Sequence, residues 1–400
     1  MSTYRELIDL DALDTFDDAA LMPAPAASAD AARAGRPRPL QVFAHLAIDK
    51  DAEQWRRSRE AGRLVGLNDA TPYGYGRADA MQCRVAFSRS APEPAVAKWL
   101  RLAVRAATGF DLVHAWRNRD AIRTADVVWT HTESQYLAVA AVGLLIGKRV
   151  RVIGQSVWLI DRWRALWWPH KLLFRRLIGR VDVLTFHSPD NLAIARRLFP
   201  AARTELVRFG IPSERRQAPR CAPRDTIRVL ALGNDRHRDW ATLIEAVRNV
   251  EGIALTILSG SVPAGLARGA ANVEIRLARS NAELEAAFAD ATLVCVPLRP
   301  NLHASGITVV QEAVLSGLPV IASDVGGLSA YFTRDEVRYV PAGDAPALRA
   351  AIVEVARAPA ASIARAARAQ RRMGEQGDLG AQHYVRAHVR LSEQLLGRGA

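Results

Sequence analysis

The chain has 400 residues, of which half are apolar and 24% are charged, a composition typical of a soluble globular protein with room for two domains. Three widely spaced cysteines, Cys83, Cys221 and Cys295, argue against both a disulfide framework and a zinc site. The longest apolar run, residues 137–147, is about half the roughly 20 residues that a membrane-spanning helix needs, and the first residues do not resemble a secretory signal. We therefore expect a cytoplasmic protein. Its net charge of +13 would attract nucleic acid, anionic lipid headgroups or diphosphate-bearing substrates, although an arginine-rich composition explains the charge equally well.

The first domain is predicted from alternating strands and helices. Residues 1–38 are Ala/Pro-rich without periodicity and are predicted to be a mobile extension. From residue 39 to 212, short buried-strand patterns ("LQVFAHLAI", "DVVWTH", "KRVRVIGQS" and "VDVLTFHS") alternate with helical ones. This order predicts a parallel sheet with right-handed crossovers.

The second domain repeats the alternation after a polar, Pro-rich linker at residues 213–226. Strand patterns such as "IRVLALG", "ALTILSG", "TLVCVPL" and "LPVIAS" alternate with helices over residues 227–375, and residues 376–400 read as a closing helix. The predicted fold is α/β, with two Rossmann-like doubly wound domains facing across a cleft. Ligands bind at the carboxyl ends of such strands, so the cleft is the expected site.

Two stretches carry a family resemblance. "SGITVVQEAVLSGLPVIASDVGG" in the second domain, with "VDVLTFHSPDNLAIARRLFPAARTELVRFGIP" before it, resembles the retaining glycosyltransferases of family 4, which have the GT-B fold. The resemblance is good over residues 180–345 and covers residues 39–180 only in outline. It implies an acceptor-binding first domain, and a second domain that binds a nucleotide-sugar donor, with UDP or GDP as the nucleotide. The implied reaction needs no metal or other cofactor and serves polysaccharide, exopolysaccharide or glycoconjugate assembly.

The resemblance assigns part of the donor site to one helix start. It implies that Glu312 binds the ribose hydroxyls, which a carboxylate can accept through strong charge-assisted hydrogen bonds. The alternative is a glutamate that favours the helix dipole. Ser305, Gly306, Ile307 and Thr308 enter the helix, where backbone N–H groups can hold a diphosphate; the alternative is an ordinary turn.

A basic loop, "GNDRHRDW", follows the first strand of the second domain and begins at Gly233. Arg238 aligns with a family lysine that neutralises the departing diphosphate, and Arg236 is a substitute for the expected family arginine. Cations placed at a departing phosphate stabilise developing charge, which makes Arg238 a catalytic candidate. The alternative is a solvated basic loop.

Two family acids are absent. Ala304 stands eight residues before Glu312, where family members carry a glutamate, and Ala330 stands where a further glutamate is common. With Arg299 and His303 nearby, one hypothesis is an acidic donor sugar that a cation would bind. A differently shaped loop or a degenerate enzyme explains the same absences.

Polar residues of the first domain are weaker candidates. His131 and Glu133 follow a strand, where His131 could contact the donor sugar and Glu133 could act as a base. After the next strand, where family members often place a histidine, this chain has Ser156 and Asp161. Any of these side chains could instead cap the backbone. Residues 71–76, "TPYGYG", read either as a loop covering the acceptor or as a plain turn.

Residues 158–180 hold four of the nine tryptophans and a series of arginines, with a predicted helix break at Pro169. Such a segment suits peripheral contact with an anionic membrane on the cytoplasmic face, which would favour a lipid-linked saccharide as acceptor. The alternative is a core-facing helix with a basic outer face. Its predicted apolar stripe consists of Leu159, Trp163, Leu166, Trp167, Leu173 and Leu177.

Two rival functions remain open on the sequence. A GT-B epimerase would act on the nucleotide sugar itself, and a non-catalytic GT-B protein would bind a nucleotide without turnover. Nucleic acid is not an expected partner, because no recognised nucleic-acid module is present.

Overall fold

Two parallel β-sheets organise the part of the chain that the computed structural model describes, residues 38–398. The predicted extension, residues 1–38, falls outside these described residues except for Arg38, and that prediction stays a prediction. The segment from Pro39 onward forms one compact unit that contains both sheets.

The first sheet has the strand order β2-β1-β3-β4-β5-β6, with parallel neighbours throughout. Its strands are β1 (Leu40–His45), β2 (Cys83–Phe87), β3 (Val127–Thr130), β4 (Val152–Ser156), β5 (Val183–Phe186) and β6 (Thr204–Leu206). The accompanying helices are α1 (Ala52–Glu60), α2 (Ala95–Thr108), α3 (Leu112–Arg117), α4 (Arg119–Thr124), α5 (Glu133–Leu145), α6 (Leu159–Arg162), α7 (Trp168–Ile178) and α8 (Pro189–Leu198), with 3-10 segments at Ile48–Lys50, Pro72–Met81 and Trp163–Ala165. The central strands β3, β4 and β5 are buried along their whole length, as expected where helices cover both faces of a parallel sheet.

The second sheet has the order β12-β11-β10-β7-β8-β9, again with parallel neighbours. Its strands are β7 (Ile227–Leu232), β8 (Ile253–Leu258), β9 (Val273–Arg276), β10 (Leu293–Val296), β11 (Val320–Ser323) and β12 (Arg338–Val340). The helices that follow are α9 (Trp240–Val247), α10 (Asn281–Asp290), α11 (Ile307–Leu315), α12 (Ala345–Arg357) and α13 (Pro359–Arg372), with a 3-10 turn at Leu328–Ala330. Residues 207–226, which connect the two halves, contain no helix or strand.

The last helix, α14 (Ala381–Leu396), returns to the first sheet. Tyr384, Val385 and Val389 join the apolar core beneath β1 and β3, and Trp129 Nε1 donates a hydrogen bond of 2.9 Å to Ser392 Oγ. The C-terminal helix therefore packs with the first half of the molecule, although it follows the second half in sequence.

The predicted α/β fold with two doubly wound domains is confirmed. The strands predicted from the sequence do not include β2 ("CRVAF") and β12 ("RYV"). The predicted buried stripe of residues 158–180 is correct for Leu159, Trp163 and Leu177, but Trp167 is 65% exposed. The helix break precedes Pro169, which lies in the first turn of α7, where its missing N–H costs nothing.

Candidate active site

The N-terminus of α11 is open to a ligand at the carboxyl end of the second sheet. Gly306 precedes the helix with a φ of +79°, and no side chain of the described residues caps this end. The Ser305 hydroxyl beside it is buried without a hydrogen-bond partner, whereas Thr308 is exposed and Ile307 is buried. Free backbone N–H groups at a helix start favour an anion.

Arg238 lies against this helix start. It is buried, yet its Nε and Nη1 atoms have no hydrogen-bond partner. A Cβ atom at Gly306 would lie 2.7 Å from Nη1, and one at Gly233 would lie 2.4 Å from Nη2, so both positions need glycine for the guanidinium to fit. Burial lowers the pKa of Arg238 to about 10, against the opposing charges of Asp235 and Glu312, and the side chain is a cation at neutral pH. A buried cation with unpaired donors indicates a site for an anionic group.

Glu312 projects from α11 into the cleft between the two sheets. Its Oε1 atom accepts a hydrogen bond of 3.0 Å from the backbone N–H of Leu67, a residue of the first half. The adjacent Gly66 N–H donates to Asn281 Oδ1 at 2.9 Å, so this segment bridges to the second half at two points. Burial raises the pKa of Glu312, and the Leu67 hydrogen bond and Arg238 oppose that rise.

A cavity of about 270 Å³ lies between the segment around Leu67 and the start of α11. Trp55, Tyr73 and Phe209 supply aromatic walls, and Thr308 and Glu312 supply polar ones. Aromatic walls with a few polar groups are typical of a site for a small organic ligand.

His131 lies beneath the cleft in an aromatic cluster. Its ring stacks on Tyr73, and its Nδ1 atom lies 3.3 Å from the Tyr75 hydroxyl and 3.2 Å from the Tyr384 hydroxyl. Burial lowers the pKa of His131 well below its ordinary value, with His187 adding to the effect, so the imidazole is neutral. Tyr75 is fully buried, which makes residues 71–76 part of the floor of the cleft rather than a loop over it.

Glu133, the other candidate on this strand end, anchors the backbone. Its Oε2 atom accepts hydrogen bonds from the N–H groups of Val157 at 3.2 Å and Trp158 at 3.3 Å. Burial raises the pKa of the carboxyl group, and these two hydrogen bonds oppose the rise. The side chain fixes the segment that follows β4.

A cluster of charged groups joins the two halves beside Arg238. Asp161 of α6 accepts a hydrogen bond of 2.7 Å from His303 Nδ1, and His303 Nε2 lies 3.5 Å from Asp235 Oδ2, an ion-pair distance. Burial alone would lower the pKa of His303, but Asp161 and Asp235 raise it to about 9. His237 completes the cluster through Asp235 Oδ1 at 3.1 Å. The ligand atoms of Asp161, His237 and His303 lie within 4.8 Å of one another, a grouping that could also accommodate a metal ion.

This cluster bears on the hypothesis of an acidic donor sugar. His303 is hydrogen-bonded to Asp161 and lies at ion-pair distance from Asp235, so two carboxylates already balance its charge. Arg299 is exposed on the loop before α11, and Arg236 is exposed on the turn after β7. The structure thus brings Arg238, Gly233, the start of α11 and Glu312 together and leaves Arg236 at the surface. The sequence draws attention to Asp161 and His303 separately but gives no sign that they form a pair.

Comparisons with known proteins show similarity in part of the sequence and in the fold. A family model described as Glycosyl transferases group 1 matches residues 226–358. No curated relative matches the sequence. Among solved structures, the sucrose-phosphate synthase of Thermosynechococcus elongatus is 19% identical, with a TM-score of 0.66, over 89% of this chain and 99% of that one. HepE of Anabaena, solved with UDP-glucose, is 14% identical, with a TM-score of 0.57 over 89% of this chain and 99% of that one. A glycosyltransferase of Rickettsia africae is 9% identical, with a TM-score of 0.59 over 90% and 99% of the two chains.

At these identities the solved structures establish the fold, and the family match covers the half of the chain that carries Arg238 and Glu312. The match of residues 226–358 to group 1 glycosyl transferases, within a GT-B fold shared over nine-tenths of the chain, supports a glycosyltransferase.

Proposed function

We propose that the protein transfers a sugar from a UDP-sugar to a saccharide or lipid-linked saccharide, with retention of the anomeric configuration. The observation that carries the proposal is the buried guanidinium of Arg238, unpaired at Nε and Nη1, against the open N-terminus of α11. UDP is the preferred nucleotide because HepE, of the same fold, was solved with UDP-glucose. Retention follows from the resemblance to family 4.

Each side chain of the site has a defined role in the proposed reaction. Arg238 and the backbone N–H groups after Gly306 bind the diphosphate and stabilise the negative charge that grows on it as the sugar departs. Glu312 accepts the ribose hydroxyls, with Leu67 engaging one of its carboxylate oxygens. His131, whose imidazole burial keeps neutral, is proposed to orient a sugar hydroxyl. No step in this scheme requires a metal ion.

The acceptor is proposed to be presented at an anionic membrane surface. None of the described helices has both the length and the hydrophobicity to cross a bilayer. Neighbouring helices nevertheless expose large apolar side chains: Trp167, Trp168 and Leu172 around α7, and Val96, Trp99 and Leu100 on α2. We call these six residues the tryptophan patch. Helix α2 reaches α7 through a 3.1 Å hydrogen bond between His170 Nε2 and the Ala107 carbonyl, and exposed basic residues (Lys98, Arg105, Arg164, Arg175 and Arg176) flank the patch. Tryptophan with basic side chains suits the headgroup layer of an anionic leaflet.

The proposed donor site is tested by calorimetric titration with UDP, GDP and ADP. We expect UDP to bind and Glu312→Ala to weaken binding by roughly tenfold or more, because hydrogen bonds to a charged group contribute about 1.5–3 kcal/mol. Glu285→Ala, on the exposed face of α10, is the matched control and should bind UDP like the wild type. Equal UDP affinity in Glu312→Ala and the control would contradict the assignment of Glu312.

Turnover separates the rival functions. A transferase consumes the UDP-sugar only when an acceptor is present, whereas an epimerase converts it without acceptor and a binding protein does neither. The anomeric configuration of the product, read by NMR, tests retention.

A further inference from the structure

We propose that Asp161 is a positioning residue that holds the loop Asn301–Gly306, here called the diphosphate loop, in its binding shape from the opposite side of the cleft. The inference rests on the proposed function, because it assigns that loop to the donor diphosphate. It goes further by making a side chain of the acceptor half responsible for the geometry of the donor half.

Asp161 contacts the diphosphate loop with both carboxylate oxygens. Oδ1 accepts a hydrogen bond of 2.9 Å from the Leu302 backbone N–H, and Oδ2 accepts one of 2.7 Å from His303 Nδ1. The pair is sequestered from solvent, with the His303 side chain 3% exposed and that of Asp161 10% exposed. A two-point, charge-assisted contact in such surroundings fixes both the position and the orientation of the loop.

The diphosphate loop needs such an external support because its backbone is strained. Ala304 is buried at a φ of +55°, in the left-handed region that is unfavourable for a residue with a Cβ atom. Gly306 follows at +79°, and within the loop Asn301 Oδ1 accepts a hydrogen bond from the Ser305 N–H at 3.3 Å. Strained residues persist where surrounding contacts over-determine them, and they concentrate at ligand sites.

Asp161 is itself held in place by the acceptor half. The segment between β4 and α6 is anchored by Glu133, which accepts hydrogen bonds from Val157 and Trp158. A continuous set of contacts therefore runs from Glu133 through Asp161 to the diphosphate loop. Because the Asp161 contacts form only when the two halves are in the observed arrangement, domain closure and the shape of the diphosphate loop are coupled.

The test measures UDP affinity and donor KM in Asp161→Ala, Asp161→Asn and the double variant Asp161→Ala/Ala304→Gly. We expect Asp161→Ala to weaken UDP binding on the order of 10- to 100-fold, the value of hydrogen bonds to a charged group. Asp161→Asn retains an oxygen that can accept the Leu302 hydrogen bond, so its UDP affinity should lie between that of Asp161→Ala and that of the wild type. Glycine at position 304 removes the steric penalty of the Cβ atom in the left-handed region. The double variant should therefore bind UDP roughly fivefold or more tightly than Asp161→Ala does. Asp120→Ala, an exposed aspartate on α4, is the matched control.

The outcomes separate this inference from the function on which it rests. If the wild type does not bind UDP, the proposed function fails. If the wild type binds UDP and Asp161→Ala binds it equally well, the inference alone fails. A loss of affinity in Asp161→Ala that glycine at position 304 does not restore would also overturn it, because strain in the loop would then play no part. Thermal unfolding of each variant shows whether it is folded, and Asp161→Asn provides the comparison if Asp161→Ala is not.

Discussion

At the scale of single residues, the proposed donor site depends on how closely the backbone at Gly306 and the Arg238 guanidinium approach each other. The Arg238 side chain occupies the space that a Cβ atom at Gly306 would fill, and a Cβ atom there would also lie 2.7 Å from Val296 Cγ1. Neighbouring N–H groups and a cation can converge on one anion only if no side chain separates them. The two glycines are therefore required by the proximity of Arg238 as well as by their own φ angles.

Gly306→Ala should remove UDP binding and destabilise the protein, because it adds steric conflict to backbone strain. Gly343→Ala is a matched control, since Gly343 has a φ of +77° and a Cβ atom added there would meet nothing within 4 Å. The control should lose about 1–2 kcal/mol of unfolding free energy and retain UDP affinity. Urea unfolding and calorimetry measure the two quantities. Similar UDP affinities in both variants would show that contact with Arg238 does not constrain position 306.

At the scale of elements, α7 and α2 each expose large apolar side chains to solvent. The sequence of residues 158–180 predicts one apolar stripe, and the structure divides it: Trp163 and Leu177 are buried, while Trp167 and Trp168 are exposed. The reason is the break between α6 and α7, which ends the helical register before Trp167. Two adjacent exposed tryptophans at the start of a helix are the part of the segment that best suits a membrane interface.

Trp167→Ala/Trp168→Ala should reduce binding to phosphatidylglycerol-containing vesicles by roughly tenfold or more, because each tryptophan contributes a large apolar area. Cosedimentation at low and physiological salt measures the effect, and the remaining binding should be salt-dependent because of the basic flank. Leu277→Ala, an exposed apolar residue of the donor half, serves as control. Vesicle binding that is the same in the double variant and the control would exclude the tryptophan patch as the membrane contact.

At the scale of the whole molecule, charged and polar contacts hold the two halves together. Besides Asp161 and His303, the Tyr331 hydroxyl donates a hydrogen bond of 2.9 Å to the His187 carbonyl, and Gly66 and Leu67 contact α10 and α11. Polar contacts of this kind can break and re-form as the cleft between the halves opens and closes. Its closed state then depends on the protonation of the groups that join it.

The unfolding free energy should decrease by about 1–3 kcal/mol between pH 6.5 and 9. The folded pKa of His303 is raised to about 9, so its stabilising charge is fully present below the unfolded value near 6.5 and is lost as the pH rises through 9. Asp161, Asp235 and His237 face this ring. Urea unfolding at several pH values measures the decrease. In Asp161→Asn the decrease in unfolding free energy with pH should be smaller. An equally steep decrease in that variant would assign the pH dependence to other groups.

The sequence by itself determined the fold class and indicated the residues of one half of the proposed site. Alternating buried strands and helices indicate two doubly wound domains because each pattern reflects local burial, which a linear sequence records. Arg238, Gly306 and Glu312 were identifiable for a similar reason, since they belong to one domain and follow its strands in a recognisable order.

Only the tertiary structure decided what joins the two halves. The pairing of Asp161 with His303, separated by 142 positions, depends on how the sheets face each other, and no local pattern encodes that arrangement. The same holds for Glu133, a base candidate by sequence whose carboxylate instead accepts hydrogen bonds from the N–H groups of Val157 and Trp158. The type of a residue limits the chemistry that its side chain can perform. Long-range packing then decides which partners the side chain meets, and those partners determine its role.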